Sequence, residues 1–155
     1  MINVTIAYAY RKLFLSAMIE KTAGAVLDHL GTSNDDLSVV IQSDEYVAGL
    51  NKQYRGMDEG TDVLSFSTDF IDPDTSGKYI GDVVISFPRV QLQAQERGVC
   101  VEDELKLMIV HGLLHLHGYE HEAEEDKAQM WQMQGQILQL LGVDASAFPD
   151  ESIPA

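Results

Sequence analysis

Four of the chain's five histidines fall within eleven residues, from His111 to His121. His111 and His115 are four apart, so on a helix of 3.6 residues per turn their rings stack on one face and can meet a single ion. Gly118 follows where such a helix has to end, because glycine takes up the positive φ of a helix C-terminal turn without steric cost. The chain can then bend back and deliver His121 as a third ligand. His117 lies about 200° around the helix from His115 and should face away from the ion. Three neutral imidazoles favour one Zn2+ per chain, and three protein ligands leave a coordination position open for water or substrate, which is a catalytic pattern. An isolated H-x-x-x-H is most often two unrelated helical histidines. The glycine and the third histidine at their offsets turn the pair into an expected metal site.

The frame H-x-x-x-H-x-x-G-x-x-H is that of the metzincin peptidases, which place a glutamate directly after the first histidine as general base. Gly112 stands there in this chain and cannot take a proton. The stretch His111-Gly112-Leu113-Leu114-His115-Leu116-His117-Gly118-Tyr119-Glu120-His121 resembles instead the signature of the YbeY family of rRNA maturation endoribonucleases, H-G-x-L-H-L-x-G-Y-[DE]-H, at every fixed position. Leu50-Asn51-Lys52-Gln53-Tyr54-Arg55 and Thr61-Asp62-Val63-Leu64-Ser65-Phe66-Ser67 are similar to that family's L-N-x-x-Y-R and T-D-V-L-S-F-P blocks, with Ser67 in place of the proline. Gly81-Asp82-Val83 is similar to its G-D-I, and Glu120 replaces the commoner aspartate.

The resemblance implies a single-strand-specific, zinc-dependent endoribonuclease acting in rRNA processing, at the 3′ end of 16S rRNA, and in ribosome quality control. His111, His115 and His121 would be the metal ligands, Arg55 and His115 the catalytic residues, and Arg55 with Lys52 the substrate contacts. The implied partners are rRNA, the small ribosomal subunit and ribosome-associated proteins, with no DNA and no membrane. The chemistry of Arg55 suits that role, since a guanidinium presents a planar fork of donors that matches phosphate oxygens. Arg55 and Lys52 also sit at an expected helix C-terminus, where cations are favoured in any case. Asp62 could orient Arg55 or a histidine, or cap a turn, and the structural role is the expected one. Two other readings stay open. One is a metallopeptidase or other zinc hydrolase, against which the missing glutamate counts. The other is a non-catalytic ribosome-assembly factor with a structural zinc.

A chain of 155 residues with 45% hydrophobic and 23% charged residues has room for one ordinary globular core. The domain is expected over residues 1–143, with a loose tail over 144–155 that contains Pro149 and Pro154. No apolar run is long enough to span a bilayer and no signal segment opens the chain, so a cytoplasmic protein is expected. Cys100 is the single cysteine, which excludes an internal disulfide, and it is expected to be buried. Ten basic against 25 acidic residues give a net charge of −15, the wrong sign for wrapping RNA by general electrostatics. From Val101 onward two basic residues face eleven acidic ones, against five and eight from Met1 to Gly60, so RNA should meet the N-terminal half.

The elements that must position these residues follow from periodicity. Ile2 to Tyr8 alternates as a strand, with Ile2, Val4, Ile6 and Tyr8 on one face, and Lys12 to Leu30 carries apolar residues at helical spacing with Gly31 as its cap. His29 falls in the last turn of that helix. Leu37 to Ile41 is a second strand, followed by a helix capped by Ser43 and running to Arg55, where Gly56 stops it. Val63 to Ser67 is a third strand, Asp72 to Gly77 a turn, and Tyr79 to Phe87 a fourth strand. Pro88 opens a helix that Gly98 closes. Glu102, Asp103 and Glu104 precede the histidine helix, and a last helix spans Glu124 to Leu141 with Trp131, Gln134, Ile137, Leu138 and Leu141 inward. The result is an α/β domain (α+β is the variant), with a mixed four-stranded sheet, about five helices and a zincin-like metal helix.

Overall fold

The computed structural model describes residues 1–13, 15–71 and 78–144. The expected turn at Asp72–Gly77 and all of the C-terminal tail beyond Asp144 lie outside these residues. Four strands, β1 (Ile2–Ile6), β2 (Asp36–Gln42), β3 (Val63–Ile71) and β4 (Lys78–Ser86), form one sheet in the order β1-β2-β4-β3. The first three in that order are parallel, and β3 runs antiparallel to β4 at the edge. The helices are α1 (Ser16–Leu30), α2 (Asp44–Arg55), α3 (Phe87–Arg97), α4 (Val101–Leu116) and α5 (Glu124–Leu140), with a 3-10 segment over Tyr8–Leu13. The mixed sheet and five α-helices are the expected α/β class.

Strand alternation divides the interior in two. Val39, Ile41, Val63, Val83 and Ile85 point to the large core beneath α1, α3, α4 and α5. Leu64 and Val84 point the other way and meet Val47 of α2, with Val40, Leu50 and Phe66 only partly covered. α2 is thus the helix that the sheet's second face packs against, and that face is thin. α4 is enclosed instead: Leu105, Leu107, Met108, Ile109, Val110, Leu113 and Leu114 are wholly buried. A helix apolar all round belongs in the centre of a domain, and this one carries the first two histidines.

Local signals account for most boundaries. Ser43 caps α2 by accepting from the Tyr46 N–H, and Gly31, Gly56 and Gly98 close α1, α2 and α3. Several expectations are corrected. The strand β1 stops at Ile6 and Tyr8 is 81% exposed, because the chain turns into the 3-10 segment there, its Tyr10 N–H bonding the Ala7 carbonyl. α1 accordingly starts at Ser16 and not at Lys12. β3 continues past Ser67 to Ile71 through a register shift between Ser67 and Phe70, since serine keeps the backbone N–H that proline would remove. Cys100 is exposed, because it is the residue flanking the N-terminus of α4 rather than part of its core. Glu102, Asp103 and Glu104 lie inside the first turn of α4, and Glu104 faces inward, wholly buried and 3.7 Å from Nε of Arg97.

Candidate metal centre and substrate cleft

The last two turns of α4 and the bend after it build the centre. α4 ends at Leu116, and Gly118 takes φ +91° while its N–H bonds the His115 carbonyl and the Tyr119 N–H bonds the Leu114 carbonyl. That hydrogen-bonded reversal sends the chain back across the helix end, as the glycine required. His111, His115 and His121 each offer a ring nitrogen, and the three nitrogens lie within 4.8 Å of one another. Their ring centroids are 4.7, 5.5 and 5.1 Å apart for the pairs 111–115, 111–121 and 115–121.

The protons of the first two imidazoles are already committed. His111 Nδ1–H donates to Oε1 of Gln134 at 3.0 Å, and His115 Nδ1–H donates to the Tyr119 carbonyl at 2.9 Å, with Glu120 Oε2 at 3.4 Å. Both Nε2 lone pairs therefore point inward, 3.2 Å from each other. Two lone pairs face to face repel unless something positive sits between them. Tetrahedral coordination at about 2.05 Å from metal to nitrogen would hold ligand nitrogens about 3.3 Å apart. The three histidines can hold a metal ion on that geometry. Burial pushes His111 down to about 3, helped by the neighbouring His115 and His121 charges and opposed by the Gln134 hydrogen bond. The ring is thus held neutral, the form that ligates.

His117 points elsewhere. Its Nδ1–H donates to the Leu113 carbonyl at 2.7 Å, and its Nε2 pairs with Thr32 Oγ1 at 2.9 Å, tying the end of α4 to the segment after α1. His29, in the last turn of α1, pairs with Gln136 at 3.3 Å on α5. Neither belongs to the centre.

His115 and His121 open onto a cleft of about 380 Å³ lined also by Arg55, Val63, Ser65, Ser67, Glu120 and Glu122, while His111 is wholly buried. Arg55 comes from the C-terminal turn of α2, and the alternate residues Val63, Ser65 and Ser67 come from the edge strand β3. No hydrogen bond or ion pair holds the Arg55 guanidinium among the described residues. Lys52, the other expected substrate contact, does not line the cleft; it is exposed and lies 3.7 Å from Asp58. Asp62 is buried, with Oδ1 accepting from the Val63 N–H at 2.8 Å and Oδ2 from Gln93 at 3.3 Å. These contacts hold the carboxylate at the start of β3 and against α3, and burial raises its pKa above the usual carboxylate range.

Gly112 explains itself sterically. A Cβ there would lie 2.7 Å from Cγ1 and 3.2 Å from Cγ2 of Val83, and the Gly112 carbonyl accepts from Ser65 Oγ at 3.0 Å. The position faces the sheet, and a glutamate could not be accommodated. Gln134 escaped notice as a site residue. The only sign of it was a polar side chain within the otherwise apolar inward stripe of α5, where it is 4% exposed.

The family model described as "Endoribonuclease YbeY" matches residues 5–142. A protein of that name from Persephonella marina is 39% identical over 129 residues, covering 83% of this chain and 82% of the relative. One from Aquifex aeolicus is 47% identical over 112 residues, covering 70% and 73%. A solution structure of a Thermotoga maritima protein superposes with a TM-score of 0.66 at 26% identity, covering 97% of this chain and 95% of that one. The histidine centre, the arginine across the cleft and the family match over nearly the whole chain give one conclusion: the protein belongs to the YbeY family of endoribonucleases.

Proposed function

We propose that this protein is a single-strand-specific, zinc-dependent endoribonuclease that matures rRNA, including the 3′ end of 16S rRNA, on or beside the small ribosomal subunit, and that it takes part in ribosome quality control. The observation that carries the reading is the arrangement across the cleft, where His115 and His121, converging with the buried His111, face Arg55, whose guanidinium has no hydrogen bond or ion pair among the described residues. His111, His115 and His121 would hold the ion, which when bound would polarise a phosphoryl oxygen and lower the pKa of water. Arg55 would bind two oxygens of the scissile phosphate and offset the charge that grows on them in the transition state. Gln134 and the Tyr119 carbonyl would keep the two α4 imidazoles in the ligating tautomer. Ser65 and Ser67 add hydroxyls along the edge strand.

An acidic protein can still accept RNA at such a place, because attraction over more than about 10 Å is screened at cellular salt and local cations decide. The peptidase reading loses support from Gly112, whose position leaves no volume for the missing base. The test incubates metal-loaded protein, chelated protein and His115→Ala with precursor rRNA and with casein. The proposal expects chelator-sensitive cleavage of single-stranded regions of the rRNA by the loaded wild type alone, and intact casein. Casein cleavage with intact rRNA would overturn it. Intact rRNA together with an rRNA maturation defect in cells lacking the protein would favour a non-catalytic assembly role.

A further inference from the structure

Tyr54 is a large aromatic side chain left 62% exposed one residue before Arg55. Its ring is nevertheless held in place, meeting Phe66 edge to face with centroids 5.4 Å apart at 65°. Phe66 sits on β3 between Ser65 and Ser67, whose side chains line the cleft on the other side of that strand. β3 is the outermost strand of the sheet. A strand of RNA whose phosphate lies on Arg55 can therefore cross the edge of β3 and bring its next nucleotide against the Tyr54–Phe66 pair.

We infer that Tyr54, braced by Phe66, is a stacking subsite for an unpaired base adjacent to the phosphate held by Arg55. This inference rests on the proposed ribonuclease function. It supplies a physical origin for single-strand preference, because a base inside a duplex has both faces covered and cannot stack on a tyrosine. The site is sequence-tolerant, since every base has a π-face. The tyrosine hydroxyl has no part in it. The adjacent guanidinium holds the backbone while the ring takes the base, a pairing of charge and stacking that suits single strands and not proteins or membranes.

The experiment compares wild type, Tyr54→Ala and Tyr54→Phe, all metal-loaded, on a fluorescent single-stranded oligoribonucleotide and on versions with one abasic position moved along the strand. Losing one base-stacking contact should raise KM roughly 10-fold with kcat changed less than about 2-fold in Tyr54→Ala. Tyr54→Phe should match wild type. One abasic position should weaken wild type to the level of the alanine variant and leave that variant unaffected. Binding to chelated protein, read by anisotropy, should show the same roughly 10-fold difference, and melting curves of the three proteins should coincide within a few degrees. An unchanged KM and affinity in a folded Tyr54→Ala would overturn the subsite, as would a loss in Tyr54→Phe equal to that in alanine. Failure of the wild type to cut RNA that it binds with this Tyr54 dependence would instead overturn the ribonuclease reading and leave the subsite standing.

Discussion

Replacing Gly112 by alanine tests how tightly the metal helix is seated on the sheet. The added Cβ would stand 2.7 Å from Val83 Cγ1 and 3.2 Å from Cγ2, both well inside contact distance, and Val83 is wholly buried with nowhere to turn. Helix propensity alone would favour alanine by about 1 kcal/mol. Overpacking a full core costs about 1–3 kcal/mol, so the net loss should be roughly 0–2 kcal/mol, a fall in Tm of up to about 8 °C for a chain this size. The clash also lifts α4 away from β3 and β4, carrying His111 and His115 with respect to Arg55. Misplacement by about 1 Å is enough to lower a rate about 10²-fold, so cleavage should fall further than stability while metal content stays at one ion per chain. The assay is a thermal melt beside a single-turnover rate and elemental analysis, for Gly112→Ala, Val83→Ala and the double variant. Relief of the clash requires the double variant to be more stable than the sum of the two single losses by about 1 kcal/mol or more. A Gly112→Ala protein that melts above wild type would refute the reasoning, and Gly112→Glu should fail to fold or to bind metal rather than acquire peptidase activity.

Three other outcomes are expected. Alanine at His111, His115 or His121 should abolish tight zinc binding, whereas His117→Ala should retain one zinc and lose roughly 1 kcal/mol from the Leu113 and Thr32 hydrogen bonds; elemental analysis and melts decide it, and zinc loss from His117→Ala alone would reverse the ligand choice. Arg55→Ala should keep its zinc and its Tm while cleavage drops about 10²-fold or more, with little recovery in Arg55→Lys, because lysine restores the charge without the two-pronged geometry; an unchanged rate would remove Arg55 from the reaction. Glu104 is raised to about 7 by burial, against the pull of Arg97 and with a push from Asp62. A carboxyl shifted upward on folding adds stability that is complete below its unfolded value near 4.5 and is lost as pH rises through about 7. Glu104→Gln should flatten that decline in Tm between pH 5 and 8, and an unaltered slope would show that Glu104 is ionised in the folded protein without penalty.

The histidine motif, the helix ends at Gly31, Gly56 and Gly98 and the four strands were legible in the sequence because each follows from local rules. Spacing on a helix decides which rings share a face, and glycine decides where a helix can turn back. Ser43 could be read as a cap for the same reason, its partner being three residues away. What the sequence could not decide depends on groups distant along the chain. Gln134 lies 23 residues from His111 and meets it only because α5 packs on α4. The place of Lys52 outside the cleft and of Arg55 within it is set by how α2 crosses the sheet, which no periodicity records. Glu104 reads from the sequence as one of three acidic residues ahead of the histidine helix, yet the burial of α4 draws it inside. The length of β3 was underestimated because pairing with β4 carries it past the serines where its own apolar signal ends. Gly112 shows the division most directly: its identity announced that no base was present, and only the approach of Val83 shows why nothing larger can stand there.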